Sequence, residues 1–387
     1  MKETQQYTMG ELFTLEYGKP VPDKESIDGS VPVYGTNGQI GTSHLKPLCN
    51  HPSVILGRKG AYRGVHYSNR PFSVIDTAFY IELITDKVDI KWLYYKLLTY
   101  DINSMDSGSA IPSTDRYQIY SLPIEVPSIS TQRRIVDVLD SITTKIELNR
   151  QINDNLEQQA EALYKSWFID FEPFCEEEFI ESSLGSIPTG WKVGQLSDVC
   201  EIVGGGTPSK NRPEYYCERG IAWLTPKDLS VSKSKFSSRG SEDITPEGYK
   251  NSSTKLMPRG TVLFSSRAPI GYISIATNEI CTNQGFKSAV PGIAGTGYLY
   301  YFLKANTDKI ESKASGSTFK EASGALMKSL EIIIPADGIL NQFEAELAPI
   351  LNKQENIASE IQALTTLRDT LLPKLMSGEL KINEIDC

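Results

Sequence analysis

The stretch SLPIEVPSISTQRRIVDVLDSITTKIELNRQINDNLEQQAEALYKSW, Ser121 to Trp167, decides how this chain is read. A short strand-like run ends at Pro127, and a helical period follows with Ile135, Leu139, Ile142, Ile146, Asn149, Asn153, Leu156, Ala160, Leu163 and Trp167 at alternating three- and four-residue steps. The same passage is written again 208 residues later. SLEIIIP from Ser329 leads into Phe343, Leu347, Ile350, Gln354, Ile357, Ile361, Leu364, Arg368, Leu371 and Leu375. Spacing of this kind is a heptad seam. The 33 residues from Ile135 to Trp167 would make a helix about 50 Å long, more than a small domain is wide. That length favours two helices packed on each other over two separate amphipathic helices, each lying on its own globule. The polar interruptions differ between the copies: Asn149 and Asn153 stand where the second has Ile357 and Ile361, while Gln354 and Arg368 replace Ile146 and Ala160. Buried polar seam residues fix register or partner choice. Pro349 is expected to kink or locally open the second helix, and Ser377-Gly378 to end it.

Outward from the seams, the echo extends through the whole chain. Gly10-Glu11-Leu12 resembles Gly194-Gln195-Leu196, and Gly18-Lys19-Pro20 resembles Gly206-Thr207-Pro208. ILGRKGAYRG from Ile55 corresponds to VLFSSRAPIG from Val262, Leu93-Tyr94-Tyr95 to Leu299-Tyr300-Tyr301, and Ser107-Gly108-Ser109 to Ser315-Gly316-Ser317. Common order at nearly constant spacing marks an internal duplication. The offset grows from about 190 at Val31 and Ile221 to 207 at Ala61 and Ala268, so the second copy has about 17 extra residues before Arg267. The Lys-, Arg- and Ser-rich KDLSVSKSKFSSRG from Lys227 belongs to this stretch. Residues 1–130 and 182–336 are therefore expected to be globular, and 131–181 and 337–387 to carry the long helices. Within the globules, Ser53–Leu56, Phe72–Leu83, Gly260–Phe264 and Gly271–Ala276 read as strands and Ile90–Tyr100 and Tyr298–Asp308 as helices. The fold class is α+β, and residues 170–190 read as an exposed linker.

Length and composition agree with a folded multidomain protein: 387 residues, 40% hydrophobic and 22% charged. No apolar run approaches the roughly 20 residues of a membrane helix, and the start MKETQQYTMG is too polar for a signal peptide, so a cytoplasmic location without membrane association is expected. The six cysteines form no CxxC pair. Net charge is −9, which by itself argues against a polyanionic ligand. Its distribution reverses that reading: −7 and −5 for residues 131–181 and 337–387, against −2 and +5 for residues 1–130 and 182–336. The acid is on the helices, where a heptad exterior is normally charged.

No catalytic set emerges. Gly204-Gly205-Gly206-Thr207-Pro208-Ser209-Lys210 lacks the glycine before lysine of a phosphate loop, and no G-x-G-x-x-G or Asn/Asp-Pro-Pro-aromatic motif is present. His44, Cys49 and His51 are close in sequence, but no second cluster completes a tetrahedron, and Asp76 and Glu82 lack a following lysine at nuclease spacing, so no metal site is expected.

This layout closely resembles the specificity (S) subunit of Type I restriction-modification systems. The resemblance covers essentially the whole chain. It rests on SLPIEVPSISTQRRIVDVLDSI, LEQQAEALYKSWFIDFEPF, IPTGWKVGQLSDVCEIVGGGTPS and TLRDTLLPKLMSGEL in that order. It implies two target recognition domains joined by two long helices that form an antiparallel coiled coil, each domain reading one half of a bipartite double-stranded DNA target. It further implies two modification subunits that methylate adenine with S-adenosylmethionine, restriction subunits that need ATP and magnesium, and no catalysis or cofactor in this chain. Helix length is expected to set the unread gap between half-sites. The competing readings are a self-contained methyltransferase or nuclease and a coiled-coil adaptor that does not touch DNA. Candidate DNA-binding residues are Arg58, Lys59, Tyr62 and Arg63 in the first domain and Ser265, Ser266 and Arg267 in the second. Thr36, Asn37 and Gln39, their rough counterparts Thr225, Lys227 and Asp228, and Asn283 with Gln284 complete the set. Arg and Lys suit guanine edges, Asn and Gln adenine edges, and Ser and Thr either base or phosphate.

Overall fold

SVILG, Ser53–Gly57, is buried at all five positions, as a continuous apolar run requires when a strand is covered on both faces. The computed structural model describes residues 4–105, 112–316 and 320–382, which fall into two units, residues 1–147 with 362–387 and residues 148–361. In the first unit the strands are β1 (Thr4–Thr8), β2 (Phe13–Tyr17), β3 (Val31–Gly35), β4 (Gly38–Ser43), β5 (Ser53–Gly57), β6 (Val65–Ser68), β7 (Ser73–Val74), β8 (Ala78–Leu83) and β9 (Pro123–Pro127). An antiparallel sheet has the order β2-β8-β5-β6, β3 pairs antiparallel with β4 and parallel with β7, and β1 pairs with β9. Helix α1 (Ile90–Leu97) starts where the Asp89 carboxylate accepts from the Lys91 and Trp92 N–H groups, and it buries Trp92, Leu93, Tyr95 and Leu97 against the sheet. Helix α2 (Arg116–Ser121) precedes β9. The first turns of α3 (Ile129–Phe168) close the core with Ile135, Val136 and Leu139. Buried Gln132 holds them in place, accepting from Asp89 N at 2.7 Å and donating to the carbonyls of Lys87 and Pro127.

The second unit repeats this plan. Its strands are β10 (Phe179–Ser182), β11 (Gly185–Pro188), β12 (Lys192–Gln195), β13 (Cys200–Gly204), β14 (Tyr216–Cys217), β15 (Trp223–Leu224), β16 (Phe236–Ser237), β17 (Asp243–Ile244), β18 (Val262–Ser266), β19 (Ile270–Ala276), β20 (Cys281–Thr282), β21 (Lys287–Pro291) and β22 (Glu331–Ile334). Its helices are α4 (Leu196–Val199), α5 (Pro226–Ser232), α6 (Pro246–Lys250), α7 (Thr296–Ala305), α8 (Thr307–Lys313), α9 (Gly324–Lys328) and α10 (Ile339–Ser377). The order β13-β21-β18-β19 matches β2-β8-β5-β6, with β16 added at the edge; β12 pairs with β22 as β1 does with β9. The parallel pair β15·β20 aligns Trp223 with Cys281, as β3·β7 aligns Val33 with Ser73. Those offsets are 190 and 208, so the extra residues fall between β15 and β20, where α5, β16, β17 and α6 are found.

Every position of both seams is buried or half-buried. Within the second unit, Asn149 Nδ2 donates to Glu360 Oε2 at 2.9 Å, Gln354 Nε2 to Glu157 Oε2 at 3.1 Å, and the Phe168 and Phe343 rings are 4.8 Å apart. The partners on α10 thus run backward as α3 runs forward. Leu375 and Met376, at the end of α10, lie in the first unit's core cluster. Helix α10 continues through Pro349 and ends at Ser377, followed by Gly378 at φ 73°, which glycine adopts without strain.

Three expectations need correction. Phe72–Leu83 is two strands, because the chain turns at Ile75 with Ala78 N donating to Ile75 O. The helix from Tyr298 to Asp308 is split at Asn306, whose side chain bonds back to Phe302 O, the local competition by which asparagine interrupts helices. Residues 170–190 are not a plain linker: Glu172–Phe174 makes a 3-10 turn, β10 and β11 form a hairpin, and Phe174 packs edge-on to Trp191. Among the described residues no helix is long and apolar enough to cross a membrane.

Candidate nucleic-acid interface

In the first unit, β5 delivers Arg58 to the surface as the strand ends. Its Nη1 donates to Asp76 O at 2.8 Å, and its guanidinium carbon is 4.9 Å from the centre of the Tyr17 ring. Arg116, at the start of α2, approaches the same ring at 5.3 Å and also covers Tyr117 at 5.0 Å. Two arginines therefore share one aromatic platform, and Tyr17 and Tyr117 are both exposed. Planar cations and exposed rings together suit stacking on bases and bidentate contact with guanine or phosphate. Exposed Tyr62 and half-exposed Lys59, 3.7 Å from Asp76 Oδ2, belong to the same loop. Asn37, in the β3–β4 turn, and Gln39, near the start of β4, are both exposed.

Other first-unit candidates have internal work. The Thr36 hydroxyl lies within hydrogen-bonding distance of the carbonyls of both Lys59 and Thr77, which ties the turn to the Arg58 loop. Arg63 is a correction: it is only 2% exposed, its Nη2 donates to Asn103 O at 2.6 Å, and it braces the loop from below. Ser107-Gly108-Ser109 and Ser317 lie outside the described residues.

The second unit gathers its candidates in a cleft of about 360 Å3 lined by Thr225, Lys227, Asp228, Asn283 and Gln284, with Thr207, Lys210, Trp223, Ser241 and Glu242. Lys210 lies 3.8 Å above the Tyr216 ring centre and pairs with Glu242 Oε2 at 2.8 Å. Asp228 caps α5 by accepting from Thr225 N and the Thr225 hydroxyl, and its other oxygen accepts from Ser241 N. Those bonds outweigh burial, which acts the other way, and hold its carboxyl below the ordinary range. Asn283 Oδ1 accepts from Gly285 N, while Gln284 is exposed and accepts from the Thr207 hydroxyl. The glycine run now has a cause. A Cβ on Gly205 would stand 2.0 Å from Asn283 O and one on Gly206 2.5 Å from Thr254 N, so these two glycines let neighbouring backbone approach closely.

Ser265 and Ser266 are corrections, since both are fully buried. Ser265 Oγ donates to Pro269 O and accepts from Tyr272 N, and Ser266 Oγ donates to Gly285 O. Strand β18 carries them inside the sheet one residue before the chain emerges. Arg267, half exposed, pairs with Glu321 at 3.7 Å. Its place in the fold is that of Lys59: Arg267 bridges to Glu321 as Lys59 bridges to Ser113. Tyr17, Arg116, Tyr117 and Lys210 stand beside these candidates without being among them, and Trp223, 3% exposed, is a buried wall of the cleft. The adjacent Arg116-Tyr117 and the lysine closing the glycine run were the available signals.

A family model for the Type I restriction modification DNA specificity domain matches residues 1–158 and again 188–374. The chain belongs to the Type I restriction-modification DNA specificity family. The two matches coincide with the two copies of the strand order described above. Among relatives of this specificity family, the MjaIX specificity subunit of Methanocaldococcus jannaschii is 42% identical over 165 residues, which is 42% of this chain and 38% of that subunit. The HindI specificity subunit of Haemophilus influenzae is 27% identical over 348 residues, 74% of each chain. The crystal structure of a Type I restriction-modification S subunit from M. genitalium superposes with a TM-score of 0.68 at 14% identity over 96% of both chains, a shared fold. The matched domain is described as a DNA specificity domain of such systems. Neither the self-contained enzyme nor the DNA-free adaptor is favoured.

Proposed function

We infer that this chain reads a bipartite double-stranded DNA target, one half-site per globular part, and contributes no catalytic group of its own. The observation that carries the reading is the duplicated strand order with a different polar surface on each copy, an arginine–tyrosine platform on the first and a lysine–tryptophan cleft on the second. Two copies of one scaffold with different contact chemistry are suited to reading two different short sequences. Helices α3 and α10 pair as an antiparallel coiled coil in this reading, supported by the buried seams and by the Asn149–Glu360 and Gln354–Glu157 contacts. Two modification subunits bring S-adenosylmethionine and methylate adenine, restriction subunits bring ATP and magnesium, and the complex acts in the cytoplasm.

Co-expression with the neighbouring modification gene, followed by sequencing of methylated adenines, tests this directly. A motif of two short conserved blocks separated by unread bases is expected. Methylation at one uninterrupted block, or DNA cleavage or methylation by the isolated chain, would overturn it.

A further inference from the structure

Cys49 and His51 are neighbours in sequence and Glu82 is distant from both; the fold brings the three together at one end of the first unit's main sheet, where β5 begins and β8 finishes. Cys49 is buried and joined to Phe72 by a pair of backbone hydrogen bonds, His51 follows it two residues before β5, and Glu82 comes from β8. One ligand atom from each lies within 4.8 Å of the others. His51 Nδ1 is 3.1 Å from the Pro52 carbonyl, which can only accept, so that nitrogen carries a proton. Its Nε2 stands 3.0 and 3.2 Å from the Glu82 carboxylate oxygens, an approach that a proton or a metal ion between them would hold. A proton would satisfy that pair alone. Cys49 Sγ, 3.7 Å from Nε2 and 3.8 Å from Nδ1, stands beside the same ring and adds a third ligand atom that a proton does not need. In a tetrahedral zinc site, bond lengths near 2.3 Å to sulfur and 2.0 Å to nitrogen put those two ligand atoms about 3.5 Å apart. The Nδ1 bond to a backbone carbonyl is also the outer contact that orients metal-binding histidines.

From this geometry we propose that Cys49, His51 and Glu82 bind one borderline-soft divalent cation of the zinc class, with solvent in the fourth position. The His51 and Glu82 side chains are 50% and 37% exposed, which leaves that position open to water. The Cys49 thiol donates to His51 O at 3.4 Å, and burial disfavours loss of its proton. Metal binding therefore releases it: the thiol and M2+ give a metal thiolate and one H+. The cation would pin the entry to β5, the strand whose far end presents Arg58.

The full chain, stripped with chelator and titrated with Co2+ alone, is expected to take up one equivalent with a thiolate-to-cobalt charge-transfer band that Zn2+ abolishes. Zn2+ alone should raise the melting temperature. Cys49→Ala should remove the band, Cys175→Ala should keep it, and His51→Ala and Glu82→Gln should weaken uptake at least about tenfold. Because His51 is half exposed, its variant should melt like the metal-free parent. No saturable uptake, or uptake indifferent to His51→Ala, would leave a His51–Glu82 ion pair only and overturn the proposal.

Discussion

Glu157→Ala is expected to destabilise the second unit by about 3–5 kcal/mol at neutral pH, because it strands a buried ammonium. Lys235, whose side chain is 12% exposed, reaches Glu157 Oε2 at 2.5 Å, Tyr301 OH at 2.6 Å and Gln354 Oε1 at 2.8 Å. Lys304 meets the other Glu157 oxygen at 2.6 Å. Burial disfavours the carboxylate, but the charge and hydrogen bond of Lys235, with Lys304 and Gln354, hold Glu157 down to about 2. Burial likewise pulls Lys235 down to about 8 against the attraction of Glu157. A carboxylate held below its ordinary 4.5 contributes stability that is present above that pH and lost as the pH falls toward 2. Urea denaturation should therefore show this contribution disappearing over that acid window in the parent protein. The alanine penalty should shrink as the pH rises toward about 8, where Lys235 of the parent gives up its proton, because Lys235 of the variant, without the attraction of Glu157, gives up its own at lower pH. A penalty unchanged from neutral to alkaline pH would mean that poorer packing, not a stranded charge, is responsible.

Phe168→Ala should cost a similar amount, about 3–5 kcal/mol. The Phe168 ring lies 4.6 Å from Tyr298, 4.8 Å from Phe343 and 6.1 Å from Trp191, with Tyr164 and Trp167 alongside. Its removal leaves a cavity walled by rings that α3, α7 and α10 hold in place and that cannot collapse far. Phe179, on the exposed β10–β11 hairpin, is the comparison, and its alanine variant should change stability by less than about 1 kcal/mol. The denaturation transition of the second unit reports both. Equal effects of the two substitutions would show that the aromatic cluster is not what secures the helix pair to its globule.

The seams were legible because a helix 40 residues long imposes its period over many turns, and each of the ten positions read from Ile135 onward is covered. The duplication was legible for a related reason: SLPIEVP and SLEIIIP form the matching strands β9 and β22, and the change in offset fell where the second copy inserts α5 and α6. Boundaries set by single side chains were not. Asn306 breaks a helix through one hydrogen bond, and the aromatic residues Phe171, Phe174 and Trp191 turn an acidic, linker-like sequence into part of a core. The candidate loops were legible in the sequence, but which of their side chains face solvent was not. Ser265 and Ser266 end strand β18, which is buried at all five positions, and the chain emerges only at Arg267. Tyr17 and Arg116 are 99 positions apart, and nothing local announces that they meet. The polar seam residue Gln354 could be read as specific, but its partner Lys235 lies in the inserted segment of another element.

The central claim is that each copy reads its own half of the target, and sequencing of methylated adenines in paired variants tests it most directly. In complex with the modification subunits, Arg58→Ala with Arg116→Ala should relax base preference in one half-site only, at a cost of about 1–3 kcal/mol for each base-reading side chain removed. Lys227→Ala with Gln284→Ala should relax the other half only. Relaxation of both half-sites by either pair, or of neither by both, would contradict the account.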